Sequence, residues 1–317
     1  AKAMSHAAAD AAWTDPQSVK SLILEHHMAA ARLGFSEFFD PLYKVTGASF
    51  RTGLLDGSLP GANFFCELVP ELIEAIRSED EFAIARIVQD RSPLLTDQRL
   101  HSAGDSQVDL LAKASDGVAC LRWYLEGNSD PKLENILQIV ASRELLEVPR
   151  VFEPFVSALA EETLLDDIEE DADQETELAA WRSAINVPLS QVAAYFEYVS
   201  GDSPYDTHQG VKGLQFPRVM VIINGAEARG SLFDYDKLFG ATPNSDKDIE
   251  NKIAGLDHSE ARTRRLLYVT ASRAKESLAV VAYTDNPKAI IRTVTEAGLF
   301  SSGEVMQLVK GKFISLA

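Results

Sequence analysis

The apolar positions divide the chain into an α/β pattern, a long helical stretch and a second α/β pattern. Residues 19–25 alternate between polar and apolar side chains and then close into an apolar run, which is typical of a buried strand. The following residues place apolar side chains such as Met28 and Phe35 at helical spacing. A strand that passes through a short polar joint into a helix is the first half of an α/β unit.

Residues 36–185 follow a different pattern, in which apolar side chains recur at i, i+3, i+4 and i+7. This spacing predicts about five helices and little β-structure, with joints that contain Asp and Pro. The stretch includes an acidic segment at 161–177, which holds ten acidic residues and no basic one. We interpret this segment as a solvated helix end and loop. A regulatory or DNA-mimicking role is the alternative.

The α/β pattern returns from residue 186 onward. Its strongest signal is the continuous apolar run at 216–224, which is typical of a strand buried on both faces of a parallel sheet. The other predicted elements are helices at 188–200, 260–276 and 286–300, a buried strand at 277–284 and a polar segment at 225–257.

Neither α/β stretch is large enough to fold well alone, so the economical arrangement joins them in one domain. We therefore predict an α/β fold in which residues 1–35 and 186–317 form a parallel-sheet domain. A mostly α-helical domain at 36–185, with the acidic segment, is inserted into it. The length of 317 residues agrees with two domains.

Charge and composition narrow the function classes only slightly. The net charge is −18, but residues 1–200 carry 15 basic and 34 acidic residues, whereas residues 201–317 carry 15 and 14. A nucleic-acid site needs only a local basic surface, so the negative total does not exclude one. The two cysteines, Cys66 and Cys120, have no CxxC partner, which fits a reducing compartment and predicts a cytoplasmic protein. No apolar run reaches the roughly 18–20 residues of a membrane span, so no membrane partner is predicted.

The common catalytic motifs are absent from these 317 residues. There is no GxxxxGK[ST] phosphate-binding loop, and no HExxH, GxSxG or GxGxxG pattern. Any catalytic or ligand-binding residues must therefore lie in segments that match none of these motifs.

The first such segment is the loop THQGVKG, residues 207–213, which precedes the strand at 216–224. Its glycines permit close approach of a ligand to the backbone, and Lys212 adds a positive charge. Three short polar side chains of the loop suit phosphates or sugars: those of Thr207, His208 and Gln209. A polar strand-entry loop with no ligand is the alternative.

The second segment is RTRRLLYVTASRAKE, residues 262–276. On a helix, Leu267, Thr270, Ala271 and Ala274 form a narrow buried face of mostly small residues, and Arg273 lies beside it. An arginine in that place needs an anion, which is either a ligand or a neighbouring carboxylate.

Together the two segments resemble a specific family. THQGVKGLQFPRVMVI is similar to motif V of the UvrD/Rep/PcrA-like superfamily 1 DNA helicases, T-x-[HQ]-x-x-K-G-L-E-F. RRLLYVTASRAKESLAVV is similar to motif VI, R-R-L-x-Y-V-x-x-[TS]-R-A. The two occur in the family's order, about 50 residues apart. The resemblance covers 188–285 well and 17–35 weakly, and the helical middle only by position and helicity.

The resemblance implies a role for each matched residue. Thr207, Gln209 and Lys212 would bind DNA, with Gln209 standing where many members have histidine. Gly213, Gln215 and Arg273 would bind the nucleotide, and Gln215 replaces a glutamate that contacts the sugar in many members. Arg273 would be the catalytic arginine that reaches the γ-phosphate. The resemblance assigns Tyr268 to packing.

The resemblance also implies what the chain is. It corresponds to the second RecA-like domain (2A) with its helical insertion (2B), the C-terminal portion of an ATP-dependent helicase or translocase. ATP with Mg²⁺ would be used only in the complete protein, since the phosphate-binding loop and the Mg²⁺ carboxylates belong to the first RecA-like domain. The implied partners are single-stranded or duplex DNA, that first domain, and a protein on the acidic helical domain.

Two other interpretations remain open. The chain could be a non-catalytic, helicase-derived module that binds protein or DNA, or a small-molecule α/β enzyme whose motif match is accidental. RNA in place of DNA also stays open.

Overall fold

A computed structural model describes residues 4–5, 9–161, 172–228, 232–309 and 312–315. The chain folds into two compact units. One comprises Ala1–Arg32 with Gly201–Ala317, and the other comprises Leu33–Ser200. We refer to them as the α/β unit and the helical unit. Most of the acidic segment predicted at 161–177 lies outside the described residues, and its last part belongs to a helix that begins at Ala172.

The first strand and helix confirm the predicted strand–helix pair. Strand β1 spans Lys20–Ile23 and helix α1 spans His26–Leu33. Gly34 ends the helix with a φ of 82°, a left-handed conformation that favours glycine.

The helical unit contains more helices, and shorter ones, than the pattern predicts. They are α2 (Ser36–Tyr43), α3 (Ala48–Asp56), α4 (Pro60–Asn63), α5 (Val69–Arg77), α6 (Glu81–Arg91), α7 (Asp97–Ala103), α8 (Gln107–Glu126), α9 (Leu133–Ser142), α10 (Glu153–Glu161), α11 (Ala172–Ile185) and α12 (Leu189–Val199). A π-helix at Phe64–Leu68 joins α4 to α5. Pro70 explains this joint, because it has no N–H to donate to the carbonyl four residues earlier.

Aromatic side chains form the core of the helical unit and decide where the unit ends. Tyr195 of α12 lies 5.1 Å from the Phe38 ring and 6.0 Å from the Phe35 ring. Its hydroxyl donates a hydrogen bond to the carbonyl of Leu54 at 2.6 Å. Helix α12 therefore belongs to the helical unit, whereas the sequence placed it in the parallel-sheet domain.

The remaining strands complete a four-stranded parallel sheet in the α/β unit. Strand β2 spans Tyr205–Thr207, β3 spans Phe216–Asn224 and β4 spans Ala274–Tyr283, in the order β2-β1-β3-β4. The register pairs Leu22 with Val221 and Val221 with Val280. The predicted α/β class, the parallel sheet and strand β3 are thus confirmed. A separate antiparallel pair, β5 (Met306–Val309) and β6 (Lys312–Ser315), was not predicted.

Among the described residues after β3, the chain forms four α-helices. They are α13 (Tyr235–Leu238), α14 (Asp246–Ile253), α15 (Ser259–Ala271) and α16 (Pro287–Glu296). Helices α13 and α14 lie in the segment that the sequence predicted only as polar.

The predicted helix at 260–276 is wrong at its end. Helix α15 stops at Ala271, and Ala274 is the first residue of β4. The Arg273 amide turns back to the Thr270 carbonyl at 3.1 Å, and the Arg273 carbonyl accepts from the Phe216 amide at 2.8 Å. The backbone hydrogen bonds therefore change from helical to sheet pairing at Ala274, three residues before the apolar pattern of the strand begins.

Both cysteines are free thiols, and Cys66 is buried. Within the described ranges, no helix combines the length and the apolar character that a membrane crossing requires.

Asp248 connects α14 to the first turn of α15. Its carboxylate accepts hydrogen bonds from the Lys237 ammonium at 2.8 Å, the Ser245 hydroxyl at 2.7 Å and the Ser259 amide at 3.0 Å. These bonds hold the pKa of the Asp248 carboxyl well below its usual range, with the bond from Lys237 the largest cause.

We expect Asp248→Ala to lower the free energy of unfolding of the α/β unit by about 2 kcal/mol. Among the described residues, the substitution leaves the Lys237 ammonium with Asp234 alone, at 3.9 Å, and it removes the acceptor for the Ser259 amide. Urea unfolding, followed by circular dichroism, measures the change. Asp246→Ala is the matched control, because Asp246 is an exposed acid in the first turn of the same helix. Equal losses in the two variants would show that Asp248 has no special role.

Candidate functional site

The loop at 208–215 connects the carboxyl end of β2 to the amino end of β3. Because these strands are parallel, the loop passes from the carboxyl edge of the sheet to its amino edge. Strand β1 lies between them, so the loop also crosses β1. His208 and Val211 are completely buried and anchor it, and Val211 joins the apolar core around Leu22 and Val221. The loop residues between and after these anchors face solvent: Gln209, Gly210, Lys212, Gly213, Leu214 and Gln215.

Thr207 does not lie on that open face. It is 5% exposed, and its hydroxyl accepts a hydrogen bond from the Gly210 amide at 2.9 Å. A Cβ on Gly210 would collide with Asp206 and with the Thr207 hydroxyl. The close approach that Gly210 permits is therefore to the chain itself, and Thr207 holds the turn that presents Gln209 and Lys212.

The exposed side of the loop carries the other residues predicted for DNA and nucleotide. The Lys212 ammonium has no hydrogen-bond or ion-pair partner within the described part of the chain. Gly213 has a φ of 87°, and a side chain there would meet nothing within 4 Å, so conformation rather than space favours glycine. This turn aims the Leu214 carbonyl toward the end of α15.

Arg273 lies between α15 and β4, beside that carbonyl. Its guanidinium donates hydrogen bonds to the Val269 carbonyl at 2.9 Å, the Leu214 carbonyl at 3.1 Å and the Ser272 hydroxyl at 2.9 Å. Among the described residues, no carboxylate pairs with it, so the structure does not support the salt-bridge alternative there. A guanidinium has five N–H groups, so two remain for an acceptor outside the protein. Neutral partners also leave its positive charge uncompensated.

The residues around Arg273 differ from the predicted helix face. The buried row on α15 is Ser259, Thr263, Leu266 and Thr270. Thr270 agrees with the prediction, whereas Ala274 has passed into β4. Tyr268, expected to pack, is 75% exposed.

The structure thus brings the two candidate segments together, although 59 residues separate Leu214 from Arg273. The amino edge of β3 and β4 is directly preceded by Gln215 and Arg273. The same loop places Lys212 and Gly213 just before Gln215. Thr207 is the last residue of β2 and lies at the opposite, carboxyl edge.

Two buried residues with polar groups also contact this loop: His208, which the sequence offered only as a polar loop residue, and Tyr235, which it did not single out. The Nδ1 atom of His208 lies 3.0 Å from the Tyr235 hydroxyl, and Nε2 lies 3.2 Å from the Leu22 carbonyl. Burial lowers the pKa of His208 to about 4 and raises the pKa of Tyr235 above its usual range. His208 was visible in the sequence as one of three polar loop residues. Tyr235 had no signal, since α13 is a single turn within a polar segment.

A cleft of about 210 Å³ opens at the carboxyl edge of the sheet, away from Arg273. Asn224, Asp234 and Asp236 are among its lining residues, and burial followed by the charge of Asp234 raises the pKa of Asp236. None of the residues predicted from the two motifs lines it.

No protein-family model matches the sequence, and no curated protein matches it significantly.

Proposed function

We propose that this chain is the second RecA-like domain, with a helical insertion, of a superfamily 1 DNA helicase or translocase. The observation that carries the proposal is the contact between Arg273 and the Leu214 carbonyl. It joins the two segments that resemble motifs V and VI, and it holds a guanidinium that no described carboxylate neutralises.

Arg273 is the residue proposed to act on the nucleotide. Its three hydrogen bonds to neutral groups fix the guanidinium plane, and its two remaining N–H groups suit the oxygens of a γ-phosphate. In the complete protein, ATP with Mg²⁺ would supply the phosphoryl group, and Arg273 would stabilise the negative charge that develops on it. Gly213 and Gln215, exposed on the neighbouring turn, would border the same nucleotide.

Gln209 and Lys212 are proposed to contact the backbone of a nucleic-acid strand. Both are exposed, and the anchors His208 and Val211 hold them on one short loop. Thr207 supports this surface indirectly, because its hydroxyl holds the turn at Gly210.

We expect Lys212→Ala to weaken the binding of a fluorescent oligothymidylate by roughly 3- to 10-fold at low salt, and to reduce the salt dependence by about one phosphate contact. Fluorescence anisotropy at several salt concentrations measures both effects. Lys288→Ala is the matched control, because Lys288 is an exposed lysine of the α/β unit on α16, outside both motifs. The proposal fails if the unaltered chain does not bind the oligonucleotide, or if both variants weaken binding equally.

A second candidate function, a non-catalytic protein-binding module, has an observation of its own. Phe82 on α6 and Trp123 on α8 are 82% and 76% exposed. The Glu81–Arg122 ion pair, at 2.5 Å, brings the helix segments that carry them together. Large exposed apolar side chains on an acidic unit suit a protein partner. DNA-stimulated ATP turnover, after the chain is joined to a domain with a phosphate-binding loop, separates the two candidates in favour of the motor.

A further inference from the structure

Tyr235 lies between the two motif segments and contacts both. It is 3% exposed, and its ring stacks on Phe239 at 6.3 Å. Its hydroxyl is 3.0 Å from Nδ1 of His208, the first residue of the loop, and lies next to the side chain of Thr270 on α15. His208 and Thr270 are completely buried, so water cannot replace either contact.

The partners determine the direction of these hydrogen bonds. The Leu22 carbonyl, 3.2 Å from Nε2 of His208, can only accept, so Nε2 carries the proton. Nδ1 then accepts from the Tyr235 hydroxyl, whereas the Thr270 hydroxyl donates its proton to the Leu267 carbonyl at 2.9 Å. The result is a chain of buried polar contacts from β1 through His208 and Tyr235 to the Thr270 side chain.

Helix α13 is itself held by α15. The Asp234 amide donates to the Thr263 hydroxyl at 2.9 Å, and the Asp234 carboxylate caps the helix at the Lys237 amide, also at 2.9 Å. A helix of a single turn has little stability of its own, so these contacts fix the position of Tyr235 relative to α15.

The loop is therefore tied to the α15 segment at both ends. His208, at its start, connects through Tyr235 to Thr270, and Leu214, near its end, connects directly to Arg273. We propose that Tyr235 is a positioning residue that couples the 208–215 loop to the end of α15. Displacement of the loop by a bound strand would move Thr270, three residues before Arg273. This inference rests on the proposed function, since it names the contact through which the two ligands influence one another.

Tyr235→Phe tests the coupling first without any ligand, in the 317-residue chain. The variant keeps the ring against Phe239 and removes only the hydroxyl. Measured by NMR, we expect amide hydrogen exchange at Gly210, Leu214 and Arg273 to accelerate at least 10-fold, and the His208 ring nitrogen signals to shift. Tyr283→Phe is the control, because Tyr283 is a largely exposed tyrosine of the same unit. Unchanged exchange at these three amides overturns the inference.

Thr270→Val interrupts the same chain from the other side and serves as a second variant if Tyr235→Phe does not fold. We expect it to accelerate exchange at the same amides. Combining it with Tyr235→Phe should add little, because either change alone breaks the chain. Additive effects of the two substitutions contradict a shared chain.

An oligothymidylate titration then asks whether the coupling transmits binding. In the unaltered chain, we expect the oligonucleotide to shift the Thr270 methyl signal. In Tyr235→Phe, the affinity should stay within about 3-fold while at least half of that shift is lost, which a purely structural role would not produce. If the unaltered chain does not bind, the proposed function fails and the ligand-free exchange still tests the coupling. If the variant binds and transmits the full shift, only the coupling is wrong.

Discussion

Replacing Arg273 with alanine is expected to reduce DNA-stimulated ATP turnover about 10³-fold, once this chain is joined to a domain that supplies the phosphate-binding loop. Alanine removes the guanidinium, whose two remaining N–H groups suit the oxygens of a γ-phosphate. Arg273→Lys should restore little, because an ammonium cannot bond the Val269 and Leu214 carbonyls and a phosphate with the same planar geometry. A coupled assay of phosphate release measures the turnover.

Two controls test whether a loss of turnover comes from Arg273 itself, rather than from the loss of any arginine or from unfolding. Arg292→Ala removes an exposed arginine on α16, elsewhere in the same unit, and should leave turnover within about 2-fold. Thermal unfolding of Arg273→Ala should show a folded protein, since the three lost hydrogen bonds come from a partly exposed side chain. Turnover that survives in a folded Arg273→Ala protein excludes the assigned role.

The free energy of unfolding of the α/β unit is expected to fall by about 2 kcal/mol between pH 7 and pH 5 through His208 alone. Burial lowers the pKa of the folded His208 from 6.5 to about 4. Below pH 6.5 the unfolded chain therefore binds a proton that the folded chain excludes. This contribution to stability is complete above pH 6.5 and is lost as the pH falls toward 4. Urea unfolding at half-unit pH intervals measures it.

His26 contributes to the loss of stability over the same pH range, because burial also lowers its pKa to about 4. The contribution of His208 is therefore isolated as the difference in pH slope between the unaltered chain and His208→Gln. That variant will be less stable at pH 7, since it loses the Tyr235 contact, but its slope should be shallower. His101→Gln, at an exposed position on α7, should keep the original slope. An unchanged slope in His208→Gln contradicts the prediction.

Local pattern was sufficient to predict the longer elements of the α/β unit. The continuous apolar run at 216–224 is β3, and the helical spacing after Pro287 is α16. Strand β2 escaped prediction because three residues are too short for any periodicity to appear. Helix α13 escaped because its only buried side chain, Tyr235, stands alone among polar neighbours.

The two motif segments were recognisable from their residues, but their internal geometry was not. Gly210 was interpreted as making room for a ligand, whereas it makes room for Asp206 and Thr207. The spacing of Ala274 fits a helical face. However, the Phe216 amide donates to the carbonyl of the preceding residue, Arg273, and a strand starts at Ala274. Competition between helix and sheet hydrogen bonds cannot be read from spacing, because the competing strand lies about 60 residues earlier.

By itself, the sequence determined the alternation of strands and helices, the division into α/β and helical parts, and the order of the two motif segments. These follow from side-chain periodicity, which is local. Only the tertiary structure decided which polar groups of one loop face inward, with Thr207 and His208 buried and Gln209 and Lys212 open to solvent. It also decided that Arg273 meets the Leu214 carbonyl rather than a carboxylate. The physical reason is that these environments come from parallel strands distant along the chain, as in the 186 residues between Leu22 and His208.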